Sequence, residues 1–165
     1  MSDVKAIPDR CHSVNAYIVV TDAAEALEFY SKAFGAHSLS RMPGPDGKGT
    51  MHAEMVIGDS AVMLADEFPQ FNLKSPKSLG GNCATLHLYV EDADAVFAQA
   101  VKAGCEVLQP MSDAFWGDRY GKVCDPYGHH WGIATHVEDL TEEEMGERAK
   151  EAFANMDCQG AEGDQ

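Results

Sequence analysis

The chain repeats one pattern of residues after an offset of 70 positions. The offset aligns Asp22 with Asp92 and Gly58 with Gly128, and each half reads as a strand, a helix and three further strands. Internal similarity of this kind indicates a duplicated structural unit. Because one such unit is too small to close its own sheet, the two copies must bury their apolar surfaces together.

The first half opens with a β-branched run from Val14 to Val20, whose apolar side chains alternate as on a half-buried strand. Thr21 or Asp22 is placed to cap a helix that ends near Phe34, and Gly35 stops it. Two glycine-containing breaks then divide the remainder of this half. The predicted strands cover residues 37–42, 50–57 and 61–65.

The second half repeats this order with a strand over residues 84–90 and a helix from Asp92 to Ala103. It closes with a hairpin around Asp125-Pro126-Tyr127-Gly128, where proline at the second position and glycine at the fourth predict a type I turn. Aromatic residues are expected to crowd around two polar ones near this hairpin. The aromatic residues are Phe115, Trp116, Tyr120 and Trp131, and the polar ones are Asp118 and Arg119.

These patterns predict an α+β fold of two tandem βαβββ repeats, whose curved mixed sheets surround a cleft with the helices outside. The predicted divisions are a first module at 13–66, a linker at 67–82, a second module at 83–137 and an acidic helix and tail at 138–165. The two modules form one domain together. The capping box Thr141–Glu144 starts the tail helix, which is expected to end near Ala154, with disorder from Asp157.

The net charge of −15 argues against a nucleic-acid or anionic-membrane partner, because phosphate binding needs clustered Lys and Arg. The N-terminus has no signal-peptide pattern and no apolar run is long enough to span a membrane, so a soluble, cytoplasmic protein is expected. Five widely spaced cysteines without a CxxC motif favour reduced thiols.

Three segments, AYIVVTDAAEALEFYSKAFGA, LHLYVEDADAVFAQAVKAG and KVCDPYGHHWGI, resemble the vicinal oxygen chelate superfamily of glyoxalase, bleomycin-resistance and dioxygenase proteins. The resemblance covers about residues 13–137. The segments MHAEMVIGDSAVMLADE and FWGDRYG are more similar to its phosphonate-operon branch.

The resemblance implies a divalent metal held by four side chains, two from each repeat. The family's ligand positions fall here on Asn15, Leu64, Thr85 and Gly132, with Asp66 the only acidic residue near the second position. These residues offer at most two weak neutral oxygens, or one charged ligand if Asp66 joins them. We therefore predict no metal at this centre and no cofactor.

The alternation on each strand predicts side chains that face the cleft, and a Gly117-Asp118 turn is expected to present Trp116 and Arg119 at its border. His136 is interpreted as a strand-end residue. The predicted ligand-binding residues are Asn15, Tyr17, His52, Glu54, Thr85, His87, Tyr89, Trp116, Arg119 and His130.

Three functions remain open. The favoured one is a metal-free protein that binds a planar or cationic small molecule between aromatic rings, as the bleomycin-resistance resemblance implies. The second is an enzyme, a lyase, isomerase or dioxygenase, with shifted metal ligands or a general base drawn from the cleft histidines and acids; whether the protein is an enzyme is undecided. The third is a protein-interaction role of the acidic tail. Open sheet edges and the resemblance also predict a homodimer.

Overall fold

The computed structural model describes the backbone of residues 4–160 and the side chains of residues 4–154. The first module contains β1, α1, β2, β3 and β4, and the second contains β5, α3, β6, β7 and β8. The strands are β1 Ala16–Val20, β2 His37–Pro43, β3 Thr50–Ile57, β4 Ser60–Asp66, β5 Thr85–Tyr89, β6 Glu106–Asp113, β7 Asp118–Cys124 and β8 His130–His136. The helices are α1 Ala23–Phe34, α2 Pro76–Leu79, α3 Ala93–Ala103 and α4 Glu142–Gly160.

The two modules have the same strand order, β1-β4-β3-β2 in the first sheet and β5-β8-β7-β6 in the second. In each sheet the first strand is parallel to the last strand of its module, and the other pairs are antiparallel. The prediction of two tandem βαβββ repeats is therefore confirmed.

The ends of α1 and α3 follow the predicted capping chemistry. The side chain of Asp22 accepts hydrogen bonds from the backbone of Ala24 and Glu25, and the side chain of Asp92 accepts one from Ala95. Gly35 ends α1 with a φ of 67°, a conformation that favours glycine because it has no Cβ.

The core lies between the helices and one face of each sheet, and it is continuous across the two modules. Helix α1 packs beside α3, and the rings of Tyr30 and Phe34 contact Trp131 of β8 at centroid distances of 5.5 and 4.5 Å. Since Trp131 lies in this core, it does not join the aromatic group around Asp118 that the sequence predicted.

The face of each sheet that points away from the helices is called the open face here. On β1 the buried Ile18 and Val20 point to the core, while Tyr17 is 47% exposed on the open face. On β5 the half-buried Leu86 and Leu88 alternate with the exposed His87 and Tyr89, the latter 60% exposed. The predicted alternation of both strands is confirmed.

The linker contains more structure than a plain connector. Residues Pro69–Phe71 form a short 3-10 helix and Pro76–Leu79 form α2, which Ser75 caps by accepting a hydrogen bond from Ser78. The predicted turn of the closing hairpin is present, with a 3.0 Å hydrogen bond from Gly128 N to Asp125 O.

The C-terminal helix α4 starts at the predicted capping box, where Thr141 and Glu144 exchange hydrogen bonds. It continues to Gly160, so the predicted end near Ala154 and the disorder of residues 157–160 are wrong; residues 161–165 lie outside the described part of the chain. The sequence has no proline or glycine between Gly146 and Gly160 to stop the helix. No helix in the described range is both long and apolar enough to cross a membrane.

Candidate ligand-binding site

Four rings gather on the open face of the second sheet: His87, Tyr89, Trp116 and Tyr120, called the aromatic bed below. The His87 ring stacks on Tyr120 at a centroid distance of 5.6 Å and an interplanar angle of 13°, and it lies 4.7 Å from the Tyr89 ring. Trp116 meets Tyr120 edge to face at 5.4 Å. Offset and edge-to-face arrangements are the favoured geometries of aromatic pairs, so the rings hold one another in place.

The bed is possible because position 132 on β8 has no side chain. His87 is in register with Gly132 on the neighbouring strand, and a Cβ added there would lie 2.9 Å from Cε2 of Tyr120 and 3.2 Å from Nδ1 of His87. Any larger residue would therefore displace these two rings.

A buried carboxylate, Asp118, anchors the bed from below with an exposure of 1%. It accepts hydrogen bonds from Tyr89 Oη at 2.9 Å, from Trp116 Nε1 at 2.8 Å and from His136 Nδ1 at 2.9 Å. Burial acts to raise the pKa of Asp118, but the hydrogen bonds from His136, Tyr89 and Trp116 outweigh it and lower the pKa below its ordinary value. Asp118 is thus a fixed charge that orients two rings of the bed.

His136 connects the bed to the segment before α4. Its Nδ1 bonds to Asp118, and its Nε2 lies 3.1 Å from Oδ1 of Asp139. The hydrogen bond that His136 donates to Asp118 is the main cause that raises the pKa of His136, and the one that it donates to Asp139 is the second. The strand-end position predicted for His136 is correct, but its bond to Asp118 was not foreseen.

A second group of polar side chains lies on the open face of the first sheet. Tyr17 Oη is 3.3 Å from His52 Nδ1, and His52 Nε2 is 3.4 Å from Glu54 Oε1. Arg10 from the N-terminal arm donates a 3.1 Å hydrogen bond to the other oxygen of Glu54. The hydrogen bond from His52 is the main cause that lowers the pKa of Glu54, and burial raises the pKa of Tyr17.

The residues predicted for one cleft therefore fall into two groups on two sheets. The polar residues Tyr17, His52 and Glu54 are called the Tyr17 group below. Over the described residues, no hydrogen bond or ring contact joins the Tyr17 group to the aromatic bed. Thr85 is exposed at the start of β5, opposite His130, whose pKa is lowered by burial and then by Lys122. Among the described hydrogen bonds, the amide of Asn15 bonds to the backbone of His12 and to no other predicted residue.

Arg119 does not border the bed, which corrects the predicted clamp with Trp116. The strand pairing sets Arg119 opposite Thr135, whose hydroxyl bonds to the first residue of α3, so Arg119 points to the helix side. There it holds Asp94 through Nε and Nη2, each at 2.9 Å, and also contacts Asp113. Asp118 and Arg119 are neighbours on a strand and must face opposite ways.

The residues at the family's ligand positions do not fit a metal. Leu64 is fully buried on the core side, so the residue of β4 on the open face is Met63, in register with Tyr17. Asp66 accepts hydrogen bonds from the backbone of Ala23 and Thr50 and is committed to holding α1. Gly132 has two rings packed against it. Among residues with described side chains, no three His, Cys, Asp or Glu are grouped to hold an ion.

Two cavities lie along the seam between β1 and β5, the strands at the facing edges of the two sheets. One, of about 390 Å³, is bordered by Asn15 and Ala16 on one side and by His87 and Tyr89 on the other. The second, of about 360 Å³, is bordered by Tyr17, His129 and His130. Both volumes lie within the range of small-molecule sites.

Tyr120, Asp118 and Arg10 were absent from the predicted ligand-binding residues, although Tyr120 and Asp118 were members of the predicted aromatic cluster. The sequence does contain a signal for Tyr120 and Asp118. They alternate along one strand with Lys122, so the three side chains are expected to share a face. Arg10 had none, because it reaches Glu54 across 44 positions from an arm without periodicity.

The fold defines a protein with a duplicated βαβββ scaffold, and two cavities lie at the seam between its sheets. Residues 10–133 match the sequence profile of the Glyoxalase/Bleomycin resistance protein/Dioxygenase superfamily, and the chain belongs to this family. The predicted resemblance is confirmed.

Similar proteins span most of the chain. An uncharacterized protein of Mycobacterium bovis, Mb0911c, is 46% identical over 136 residues, which cover 81% of this chain and 89% of that protein. A PhnB protein from Bacillus cereus is 19% identical with a TM-score of 0.59, over 75% of this chain and 99% of that one. TnmS3, an antibiotic-binding protein from Streptomyces sp. CB03234, is 21% identical with a TM-score of 0.56, over 83% of this chain and 100% of that one. At these low identities, the similarity to the two solved structures shows that this chain shares their fold.

Proposed function

We propose that the protein binds a planar small molecule on the aromatic bed, without a metal. The observation that carries this proposal is the packing of His87 and Tyr120 over Gly132, where a glutamate ligand of the family would stand. At this one position ring surface takes the place of a metal ligand. Stacking on such a surface favours planar ligands.

Two features support a flat ligand in this place. Tyr89 is 60% exposed although its hydroxyl is fixed on Asp118, so it presents an oriented ring to solvent. The rings are already ordered by mutual contacts, and preorganised groups lose less entropy when a ligand binds. TnmS3, with the same fold, is described as an antibiotic-binding protein, which agrees with this class of function.

We further propose that the working form is a homodimer. The open faces of both sheets carry exposed residues such as Tyr17 and Tyr89 that the described chain leaves uncovered. In such a dimer the open face of the first sheet in one copy would cover the open face of the second sheet in the other copy. The Tyr17 group of one copy would then stand opposite the bed of its partner. Free thiols at Cys11, Cys83, Cys105 and Cys124 support the proposal of a reducing, cytoplasmic location.

The test of ligand binding is a fluorescence titration of the intact protein with proflavine, a planar cationic dye. We expect saturable binding that Tyr89→Ala weakens at least about tenfold, which corresponds to about 1.4 kcal/mol. Phe71→Ala is the matched control, because Phe71 is an equally exposed aromatic residue of the linker. No binding by the wild type, or equal binding by both variants, contradicts the proposal.

Light scattering at micromolar concentration tests the dimer, and a monomeric mass contradicts it. A mixing experiment then tests whether the site is shared between copies. Tyr17→Ala and Tyr89→Ala chains are unfolded together and refolded as a mixture. If each site uses both chains, the mixture regains part of the binding that each variant alone has lost.

A further inference from the structure

A groove lies on the outer surface of the first module, between α1 and β2. Its volume is about 510 Å³, larger than either cavity at the seam between the sheets. It is called the α1–β2 groove below. The apolar and polar side chains that line it include Leu27, Glu28, Lys32, Ala36, Ser38 and Arg41.

A β-bulge in β2 brings two polar side chains to this groove. Ser38 pairs with Met55 and Arg41 pairs with Ala53, and the register shifts between the two pairs. Met55 and Ala53 are fully buried in the core. Directly paired residues share a face of the sheet, so Ser38 and Arg41 both lie on the helix side although three positions separate them.

The guanidinium group of Arg41 is held at one end and open at the other. Its Nε donates a 2.9 Å hydrogen bond to Oγ1 of Thr50, which is only 1% exposed. The other three arginines of the chain each pair with a carboxylate, whereas Arg41 has no such partner among the described side chains. The two Nη groups of an arginine are the donors that bind a carboxylate in the bidentate geometry.

The second module fills the corresponding place with apolar side chains. The offset of 70 residues makes Phe97 the counterpart of Leu27 and Met111 the counterpart of Arg41. A Cβ added at Gly121 would lie 2.8 Å from Cε2 of Phe97 and 2.5 Å from Sδ of Met111, so these two side chains meet there and pack against the core. The α1–β2 groove is therefore a property of the residues of the first module and not of the duplicated fold.

We propose that the α1–β2 groove binds a small aliphatic carboxylate. Its carboxylate accepts hydrogen bonds from the Nη groups of Arg41 and from the hydroxyl of Ser38, and its chain lies on Leu27. None of the described residues that line the groove is aromatic, which favours an aliphatic chain over a stacked planar ring. A volume of this size accommodates a small molecule.

The charges around the groove agree with an anionic ligand. Lys32 and Arg41 supply two positive charges in a chain whose net charge is −15, so an anion is attracted here and repelled by most of the surface. Glu28 is the only acidic residue among the described side chains of the lining, and it opposes a bound anion. The inference does not rest on ligand binding at the aromatic bed, which lies on the other sheet.

The test is a titration of the intact protein with octanoate, followed in amide proton–nitrogen NMR spectra. We expect saturable binding with the largest shifts in residues 27–32 and 38–41, and no saturable binding of octanol, which has the same chain without the charge. Arg41→Met copies the second module and is expected to weaken octanoate binding at least about tenfold, because charge-assisted hydrogen bonds are lost. Lys102→Met is the matched control, since it removes one exposed positive charge at the counterpart of Lys32 and is expected to bind as the wild type does.

Glu28→Gln provides a test of opposite sign, since removal of the opposing charge is expected to tighten binding by about twofold. Circular dichroism of each variant shows whether it is folded. If Arg41→Met does not fold, Lys32→Met and Glu28→Gln decide, because both positions are exposed on α1 and the two changes must act in opposite directions.

Four results would overturn the inference. They are a wild type that does not bind octanoate saturably, equal binding of octanol, shifts that concentrate at the aromatic bed, and an equal loss of binding in Arg41→Met and Lys102→Met. A failure of the protein to bind proflavine leaves the inference standing, because that dye tests the bed alone.

Discussion

The hydroxyl group of Tyr30 donates a 2.7 Å hydrogen bond to Oδ2 of Asp125 across the boundary between the modules. Both residues are buried, and Asp125 also accepts from Trp131 Nε1 and from the backbone of Tyr127 and His129. A buried carboxylate needs this many donors because an unpaired charge in a core costs several kcal/mol. The bond therefore fastens α1 of the first module to the closing hairpin of the second.

Replacing Tyr30 by phenylalanine is expected to lower the free energy of unfolding by about 1.5–3 kcal/mol, the usual value for a hydrogen bond to a charged group. Urea unfolding measures it. The control is Tyr17→Phe, whose half-exposed hydroxyl makes a longer bond of 3.3 Å and is expected to matter by less than about 0.5 kcal/mol. Equal losses of unfolding free energy in the two variants would show that the Tyr30–Asp125 hydrogen bond stabilises the protein no more than the exposed bond of Tyr17.

Gly132→Ala is expected to destabilise the protein by about 1–3 kcal/mol, because the added methyl group forces the rings of Tyr120 and His87 apart. Gly146→Ala provides the matched control on α4, where an added Cβ meets nothing within 4 Å and alanine favours the helix. Thermal unfolding of the two variants compares them. A Gly132→Ala protein as stable as the control would mean that the bed is loosely packed.

The stabilising effect of His136 is expected to depend on pH. Its pKa is raised above 6.5 in the folded state, so its contribution is complete below pH 6.5 and is lost as the pH rises through the folded value. The lowered pKa of Asp118 makes that residue's contribution complete above pH 3.8 and lost at lower pH. The stability difference between wild type and His136→Gln should thus be largest near pH 5. A difference as large at pH 9 as at pH 5 would contradict this.

Removing divalent metals is expected to leave the melting temperature unchanged, and adding zinc or nickel is expected not to raise it. A ligand that binds only the folded state must stabilise it, so an unchanged value at metal concentrations far above micromolar excludes a tight site. The physical reason is the donor set, in which Met63 and Gly132 stand where charged ligands would be needed. A melting temperature that falls when a chelator is added would contradict the prediction that there is no tight metal site.

Helix α4 is expected to be held on the body by Phe153, whose ring meets Phe115 at 5.7 Å. Phe153→Ala should therefore increase hydrogen exchange of the amides in residues 142–154, while Lys150→Ala, an exposed change on the same helix, should not. Equal exchange in both variants would indicate that the helix does not depend on this contact.

The sequence alone predicted the features that depend on local rules. The alternation of Ile18 with Tyr17, the cap at Asp22 and the turn at Gly128 follow from strand geometry, side-chain hydrogen bonding and backbone freedom, which act within a few residues. The structure has each of these three features at the predicted residues.

The errors arose where a register or a distant contact decided the outcome. Arg119 was predicted to border the cleft, and the family's second ligand position was placed near Leu64, yet a shift of one residue along a strand moves a side chain to the opposite face. The separation of the Tyr17 group from the bed depends on how two sheets lie in space. Contacts between distant residues determine that relationship, among them the packing of α1 beside α3 and the hydrogen bond from Tyr30 to Asp125.

The offset of 70 residues makes Tyr17 and His87 equivalent positions of one duplicated backbone, as it does Val19 and Tyr89. Their chemistry has diverged: one copy offers a phenol backed by an imidazole, and the other a platform of rings over a glycine. A molecule that touches both copies meets two unlike surfaces on a nearly symmetric scaffold. Such a molecule binds in one orientation, because its two ends meet different side chains. Neither half of the chain alone imposes that orientation.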